Sequence, residues 1–205
     1  MQSQKVDTIF AYMKTLFGDE PKCELDYANA HELLISILLS AQCTDKRVNM
    51  VSPALFARYK TVEDFATADN KELESFIYST GFYHNKAKNI IALCNVLKEL
   101  DDIPNDVESL AKLPGIGRKT ASVFVAEYHK LPAIPVDTHV MRVTKRLGLT
   151  AYNDPIKIER DLAQIIAREN WASYHLYLVL FGRYHCTAKN PKCDDCAIKP
   201  LCKLQ

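Results

Sequence analysis

Three groups of residues in this chain could do chemistry. Lys119 directly follows Leu113-Pro114-Gly115-Ile116-Gly117-Arg118, and Asp137 lies in Val136-Asp137-Thr138-His139. A neutral lysine amine is a nucleophile that can form an imine with a sugar carbon. A carboxylate can stabilise developing positive charge or carry a proton. Both also have ordinary readings: Lys119 as a phosphate contact at a helix start, Asp137 as the N-cap of a helix opening at Thr138. The third group is Cys186, Cys193, Cys196 and Cys202, spaced C-x6-C-x2-C-x5-C. Four thiolates so close in sequence can wrap one metal centre, either zinc or an iron–sulfur cluster.

The Gly115-Ile116-Gly117 turn must position Lys119. Asp106 to Leu110 feeds into it, and Lys119 to Glu127 leads out with apolar Val123, Phe124 and Ala126. Two glycines two apart permit close approach or a positive φ. Backbone N–H groups at the start of the outgoing helix can hold an anion, and a phosphate is the natural guest. This is the pattern of a helix-hairpin-helix turn, which grips a nucleic-acid backbone without reading bases. A plain helix joint is the competing reading. The segment after Glu127 ends at Leu131-Pro132 and can return Asp137 toward Lys119 across a cleft.

The other elements also read as helices. Val6, Ile9, Phe10, Met13, Leu16 and Phe17 recur at helical spacing, and Gly18 to Pro21 ends that helix. Residues 22–30 form a polar connector. Leu33 to Leu39 is a buried helix leading into the loop Ser40 to Asp45, where Thr44 or Asp45 can cap a helix over Lys46 to Phe56. Short helices follow at Val62 and Asn70. Gly81 can take a left-handed backbone and place Phe82 on an exposed corner. A further helix covers Lys88 to Leu100. Beyond Asp137 the stripes are Val140, Val143, Thr144 and Leu147, then Ile156, Ile158, Leu162, Ile165 and Ile166, then Trp171 to Phe181. No stretch shows strand alternation, so the expected fold is all-α.

Composition limits the function classes. The 205 residues are 48% hydrophobic and 25% charged, enough for a packed core in one large or two small domains. No apolar run is long enough to span a bilayer, and the N-terminus does not read as a signal peptide. Net charge is only +1, but Leu113 to Arg146 holds six Lys/Arg against two Asp/Glu, and Gly182 to Gln205 five against two. The positive charge therefore gathers around the turn and the tail, where it can meet a phosphate backbone. Seven cysteines, four of them crowded into the tail, suggest a reducing compartment and a metal site rather than a disulfide scaffold.

The chain resembles the endonuclease III family of helical DNA repair glycosylases at LPGIGRKTA (113–121), VDTH (136–139) and the cysteine tail. The resemblance runs from about Ala30 to Cys202. It implies a helix-hairpin-helix DNA glycosylase fold of two helical domains: a central six-helix domain over 22–131, and a second built from 1–21 and 132–205. The active site is then the cleft between them. The four cysteines become ligands of a structural [4Fe-4S] cluster. Gly115, Gly117 and Arg118 become backbone contacts to DNA, and Lys189 and Lys192 phosphate contacts from the cluster loop. His84, beside the Phe82 turn, is a further candidate contact. Gln42 enters the duplex gap beside a flipped nucleotide. Phe82 is a wedge into the base stack, a position where leucine is associated with the bacterial enzyme.

The implied function is bifunctional: removal of oxidised pyrimidines, then strand cleavage at the abasic site by Schiff-base β-elimination. The partner is double-stranded DNA carrying damaged bases or abasic sites. The protein is expected to be a cytoplasmic, DNA-associated monomer without membrane contact. A monofunctional adenine-mismatch relative is disfavoured, because that branch typically lacks the lysine and adds a C-terminal domain, whereas this chain stops at Gln205. A non-catalytic DNA-binding protein would need no Lys119–Asp137 pair. The role of His139 stays open.

Overall fold

The computed structural model describes residues 2–203. Its α-helices are α1 (Gln2–Phe17), α2 (Ala30–Leu39), α3 (Asp45–Arg58), α4 (Val62–Ala66), α5 (Asn70–Ile77), α6 (Tyr83–Leu97), α7 (Val107–Leu110), α8 (Arg118–Glu127), α9 (Thr138–Arg146), α10 (Pro155–Ile165) and α11 (Trp171–Tyr184). Short 3-10 turns lie at Tyr78–Thr80, Arg168–Asn170 and Lys199–Leu201. No strand occurs among the described residues, so the fold is all-α as expected. The chain divides into two units. One is Glu24–His129; the other joins the chain up to Cys23 with the chain from Lys130 onward. The first contains seven α-helical segments, α2 to α8, among the described residues.

In the Glu24–His129 unit, α2 is the central post. Every residue from Leu33 to Leu39 is buried, including Ser36. A helix that is apolar all round must be covered on all sides, and α2 packs against α3, α6 and α8. Helix α6 also packs on α4 and α5, and α7 on α8. Asn49 of α3 secures the polar connector: its Nδ2 donates to the Glu24 carbonyl at 2.8 Å, and its Oδ1 accepts from the Asp26 N–H. Helix α3 runs through Pro53 to Arg58, two residues beyond the expected end.

The other unit has its own core. Val6, Ile9, Phe10 and Met13 of α1 pack with Val140 and Val143 of α9, Ile158 and Leu162 of α10, and Tyr177, Leu178 and Phe181 of α11. Phe10 stacks on Tyr174 with ring centroids 3.5 Å apart. The buried Tyr177 hydroxyl donates to the carbonyls of Gly18 and Asp19, at 2.8 and 2.9 Å, satisfying the polar groups where α1 ends. Ile156 departs from its expected stripe and is exposed. Ile158, Leu162 and Ile166 follow one another every four residues on one face, and Ile156 lies about 200° around the helix from Ile158.

Seven helices begin with a side chain that accepts a hydrogen bond from their first turn: Asn29, Thr44, Thr61, Asp69, Asp106, Asp137 and Asp154. Helix α8 does not. Gly117 is its N-cap and supplies no side-chain bond.

Candidate active site and cysteine loop

The turn before α8 depends on Gly115. Its φ is +73°, and a Cβ there would lie 2.7 Å from Asn89 Cβ and 3.1 Å from Leu38 Cδ1. Both the left-handed backbone and the close approach require glycine. Gly117 differs from the expectation of two conformationally demanding glycines. Its φ of −89° is extended, and a Cβ there would meet nothing within 4 Å. The backbone here does not need glycine, and a side chain would project into open space, where a partner could approach. The N–H groups opening α8 receive no capping side chain, and its first turn holds no acidic residue. They carry the positive end of the helix dipole.

Lys119 is the second residue of α8 and is exposed, as is Arg118 beside it. Asp137 belongs to the other unit. It is the N-cap of α9, its Oδ1 accepting from the Val140 N–H at 2.8 Å. That bond orients one carboxylate oxygen and leaves the second outside the cap. His139 follows. Its Nδ1 lies 3.3 Å from Arg142 Nη2, and burial pushes the imidazole below its ordinary value despite nearby Asp137. The ring is therefore neutral at pH 7 and can accept from Arg142.

Gln42 and Phe82 share an uncommon backbone. Their φ values are +55° and +52°, in the left-handed region that disfavours residues with a Cβ. Both side chains are exposed, Phe82 at 62%. Such strained positions persist only where the surroundings enforce them. Phe82 also starts α6 five residues earlier than the sequence suggested, because Gly81 at φ +72° completes the reversal just before it. His84 lies in the first turn of α6, with Nδ1 2.8 Å from Glu74 Oε1 and its ring against Tyr83.

The four tail cysteines line one pocket, together with Leu147, Phe181, His185, Pro191, Lys192 and Lys199. Among the described residues no His, Cys, Asp and Glu side chains converge tightly enough to grip a single metal ion. Two arginines that the sequence reading assigned only to the basic surface organise this loop. Arg146 Nη1 donates to the Thr187 carbonyl at 2.7 Å and lies 3.3 Å from Cys186 Sγ, and Nη2 donates to the Ala188 carbonyl. Arg142 donates to the carbonyls of Gly182 and Cys186. Their i, i+4 spacing on α9 was the available signal, since it aims both at one strip of chain. The positive charge counted between Leu113 and Arg146 is thus not all directed at solvent. Lys189 is exposed, and the Lys192 N–H donates to the His185 carbonyl.

Comparison with known proteins gives this geometry a family. The model of the HhH-GPD superfamily of base excision DNA repair proteins matches residues 35–168. The chain is 43% identical to endonuclease III of Synechocystis over 204 residues, covering 98% of this chain and 93% of the relative. It is 45% identical to endonuclease III of Bacillus subtilis over 185 residues, covering 89% and 84%. The chain belongs to the endonuclease III family. It is a base excision repair enzyme, a DNA glycosylase with abasic-site lyase activity. Among solved structures, a trapped endonuclease III–DNA covalent intermediate superposes with a TM-score of 0.93 at 44% identity, covering 98% of this chain and 95% of the other. A thymine-DNA glycosylase shares the fold, with a TM-score of 0.86 at 20% identity. None of the helices is long and apolar enough to cross a membrane among the described residues.

The turn and the cap of α9 each carry a stability prediction. Gly115→Ala should lower stability by about 1–3 kcal/mol in denaturant unfolding, whereas Gly117→Ala should change it by less than about 1 kcal/mol and weaken duplex binding about tenfold, or ~1.4 kcal/mol. Asp137→Ala removes a cap and should cost about 1 kcal/mol, while Asp137→Asn keeps the acceptor and should leave unfolding unchanged.

Proposed function

We propose that this enzyme removes oxidised pyrimidines from duplex DNA and cuts the resulting abasic site, with Lys119 as nucleophile and Asp137 as its electrostatic partner. The observation that carries the reading is an exposed lysine in the first turn of an uncapped helix, directly after the one turn that only Gly115 can form. A phosphate bound at the N–H groups of α8 places a sugar near Lys119. The base must first leave the stack. Gln42 enters the gap and Phe82 wedges the neighbouring step. His84, with Nδ1 engaged by Glu74, has Nε2 left for a phosphate. Gly115, Gly117, Arg118, Lys189 and Lys192 hold the backbone without reading sequence.

The neutral Lys119 amine attacks C1′, and the base departs carrying the bonding pair and a proton. The ring opens at the sugar oxygen, giving an imine to Lys119. The imine acidifies the C2′ proton; losing it expels the 3′ phosphate and cuts the strand, and water then releases Lys119. The free oxygen of the Asp137 carboxylate stabilises the cationic sugar at the first transition state or moves the protons.

The tail fits a [4Fe-4S] cluster on Cys186, Cys193, Cys196 and Cys202. A tetrahedral zinc ion would draw four sulfurs to about 3.8 Å from one another. All four cysteines line one pocket, an arrangement that suits a multi-iron group with one cysteine per iron. The cluster would supply structure, tying together a loop with little apolar content. The enzyme then works as a cytoplasmic monomer on damaged or abasic DNA.

Borohydride should trap the wild-type protein on a duplex bearing an oxidised pyrimidine, and Lys119→Gln should bind that duplex without trapping or cutting. Asp137→Asn should bind but react slowly even at saturating protein. Normal trapping by Lys119→Gln would move the nucleophile elsewhere. Anaerobically purified protein should contain about four irons and matching sulfide per chain, and Cys193→Ala should lose stability before it loses a chemical step. Stoichiometric zinc without sulfide would overturn the cluster.

A further inference from the structure

We propose that the buried amine of Lys86 is a positioning residue that ties the Gln42 loop to the Phe82 turn and sets the two duplex-probing side chains as one unit. Lys86 Nζ donates to the Leu39 carbonyl at 2.8 Å and to the Thr80 carbonyl at 2.9 Å. Lys86 is only 5% exposed, which makes it unavailable as a phosphate contact. A lysine is almost never buried this deeply without partners, and both partners here are carbonyls at the ends of elements that lead into the probes.

Leu39 is the last residue of α2, and Gln42 follows three residues later. The carbonyls that end a helix have no partner within it and carry the negative end of its dipole. The Lys86 amine satisfies one of them and, as an ammonium, is favoured there. Thr80 ends the 3-10 turn directly before Gly81 and Phe82. It is buried, and its own hydroxyl donates to the Ile77 carbonyl at 2.8 Å, so the carbonyl on which Lys86 pulls belongs to a well-held residue. The Lys86 backbone N–H also donates to the Phe82 carbonyl at 3.0 Å, in the first turn of α6. One residue therefore holds the chain on both sides of the Gly81–Phe82 reversal and reaches on to the other loop.

The backbone at both probes gives this contact a purpose. Gln42 and Phe82 both sit at positive φ, each at a cost of order 1–3 kcal/mol. Free loops would relax out of that region. An amine bonded to the carbonyl three residues before Gln42, and to the carbonyl two residues before Phe82, limits that relaxation at both sites together. Burial lowers the Lys86 pKa. Even the neutral amine retains two N–H donors, enough for both carbonyls. A methionine of similar length would fill the space and leave both carbonyls unpaired.

The inference rests on the assignment of Gln42 and Phe82 as duplex probes. The test uses the full-length holoenzyme and a duplex carrying one oxidised pyrimidine opposite a fluorescent base analogue, read by stopped-flow fluorescence and single-turnover excision. Lys86→Met is expected to lose roughly tenfold to a hundredfold in the flipping and excision rates, while duplex affinity stays within about threefold. In a Gln42→Ala, Phe82→Ala background, adding Lys86→Met should change the rate by less than about twofold, because the residues act as one coupled unit. Should Lys86→Met not fold, as judged by melting, Lys86→Arg, which keeps charge and donors at a different reach, is measured through the same cycle with the same lack of additivity expected. Wild-type flipping in the Lys86 variant, or a loss that multiplies in full with the probe substitutions, overturns the inference. If Gln42→Ala and Phe82→Ala each flip at the wild-type rate, the probe assignment falls, and the clamp with it.

Discussion

The left-handed turn at Gly115 is the constraint on which the Glu24–His129 unit depends. No other residue fits there, because a Cβ would collide with Asn89 and crowd Leu38. Those two neighbours locate the turn. Leu38 lies one residue from the end of α2, just before the Gln42 loop, and Asn89 lies in α6, the helix that Phe82 opens. The turn that leads into Lys119 is thus packed against α2, which runs into the Gln42 loop, and α6, which follows the Phe82 reversal. Lys86, also in α6, adds a polar tie to the carbonyl that ends α2 and to Thr80 before the Phe82 reversal. Lys119, the Gly115 turn, Gln42 and Phe82 occupy one close-packed unit, and in such a body a shift at one place is transmitted to the others.

Most of the helix starts carry a side-chain cap, and the start of α8 does not. Seven helices are closed by their own side chains, whereas α8 is left open at Gly117. The open end and the absence of a Cβ at Gly117 leave the N–H groups of α8's first turn facing open space. Asp137 shows the converse economy. Its ordinary role as an N-cap is real, and the bond to Val140 fixes its carboxylate without consuming both oxygens. Capping and chemistry are therefore compatible readings of one residue rather than alternatives.

The cysteine loop inverts the expected use of charge. Arg142 and Arg146 counted toward a basic surface, yet both are engaged with carbonyls of the loop that carries Cys186. A segment with few apolar residues cannot form a core of its own, and these guanidiniums give it a fixed path by satisfying its backbone acceptors. Lys189 and Lys192 remain the basic residues of the loop that lie between the first two cysteines in sequence.

The sequence by itself determined the all-α class, the glycine turn ahead of Lys119, the N-cap pattern at Asp137 and the four-cysteine spacing. These are local properties: helical periodicity, capping chemistry and short-range spacing are written in neighbouring residues. The limits of α3 and α6 were misplaced by a few residues, because α3 runs on from Phe56 to Arg58 and because Phe82 accepts a left-handed backbone that its residue type disfavours. Only the tertiary structure decided that Gly115 is sterically irreplaceable while Gly117 is not, that Arg142 and Arg146 belong to the cysteine loop, and that the Lys86 amine bonds the ends of two elements. Leu39 and Lys86 are 47 positions apart. No local pattern marks such a lysine as buried, since its partners are backbone carbonyls, which every residue has and no side-chain sequence reveals.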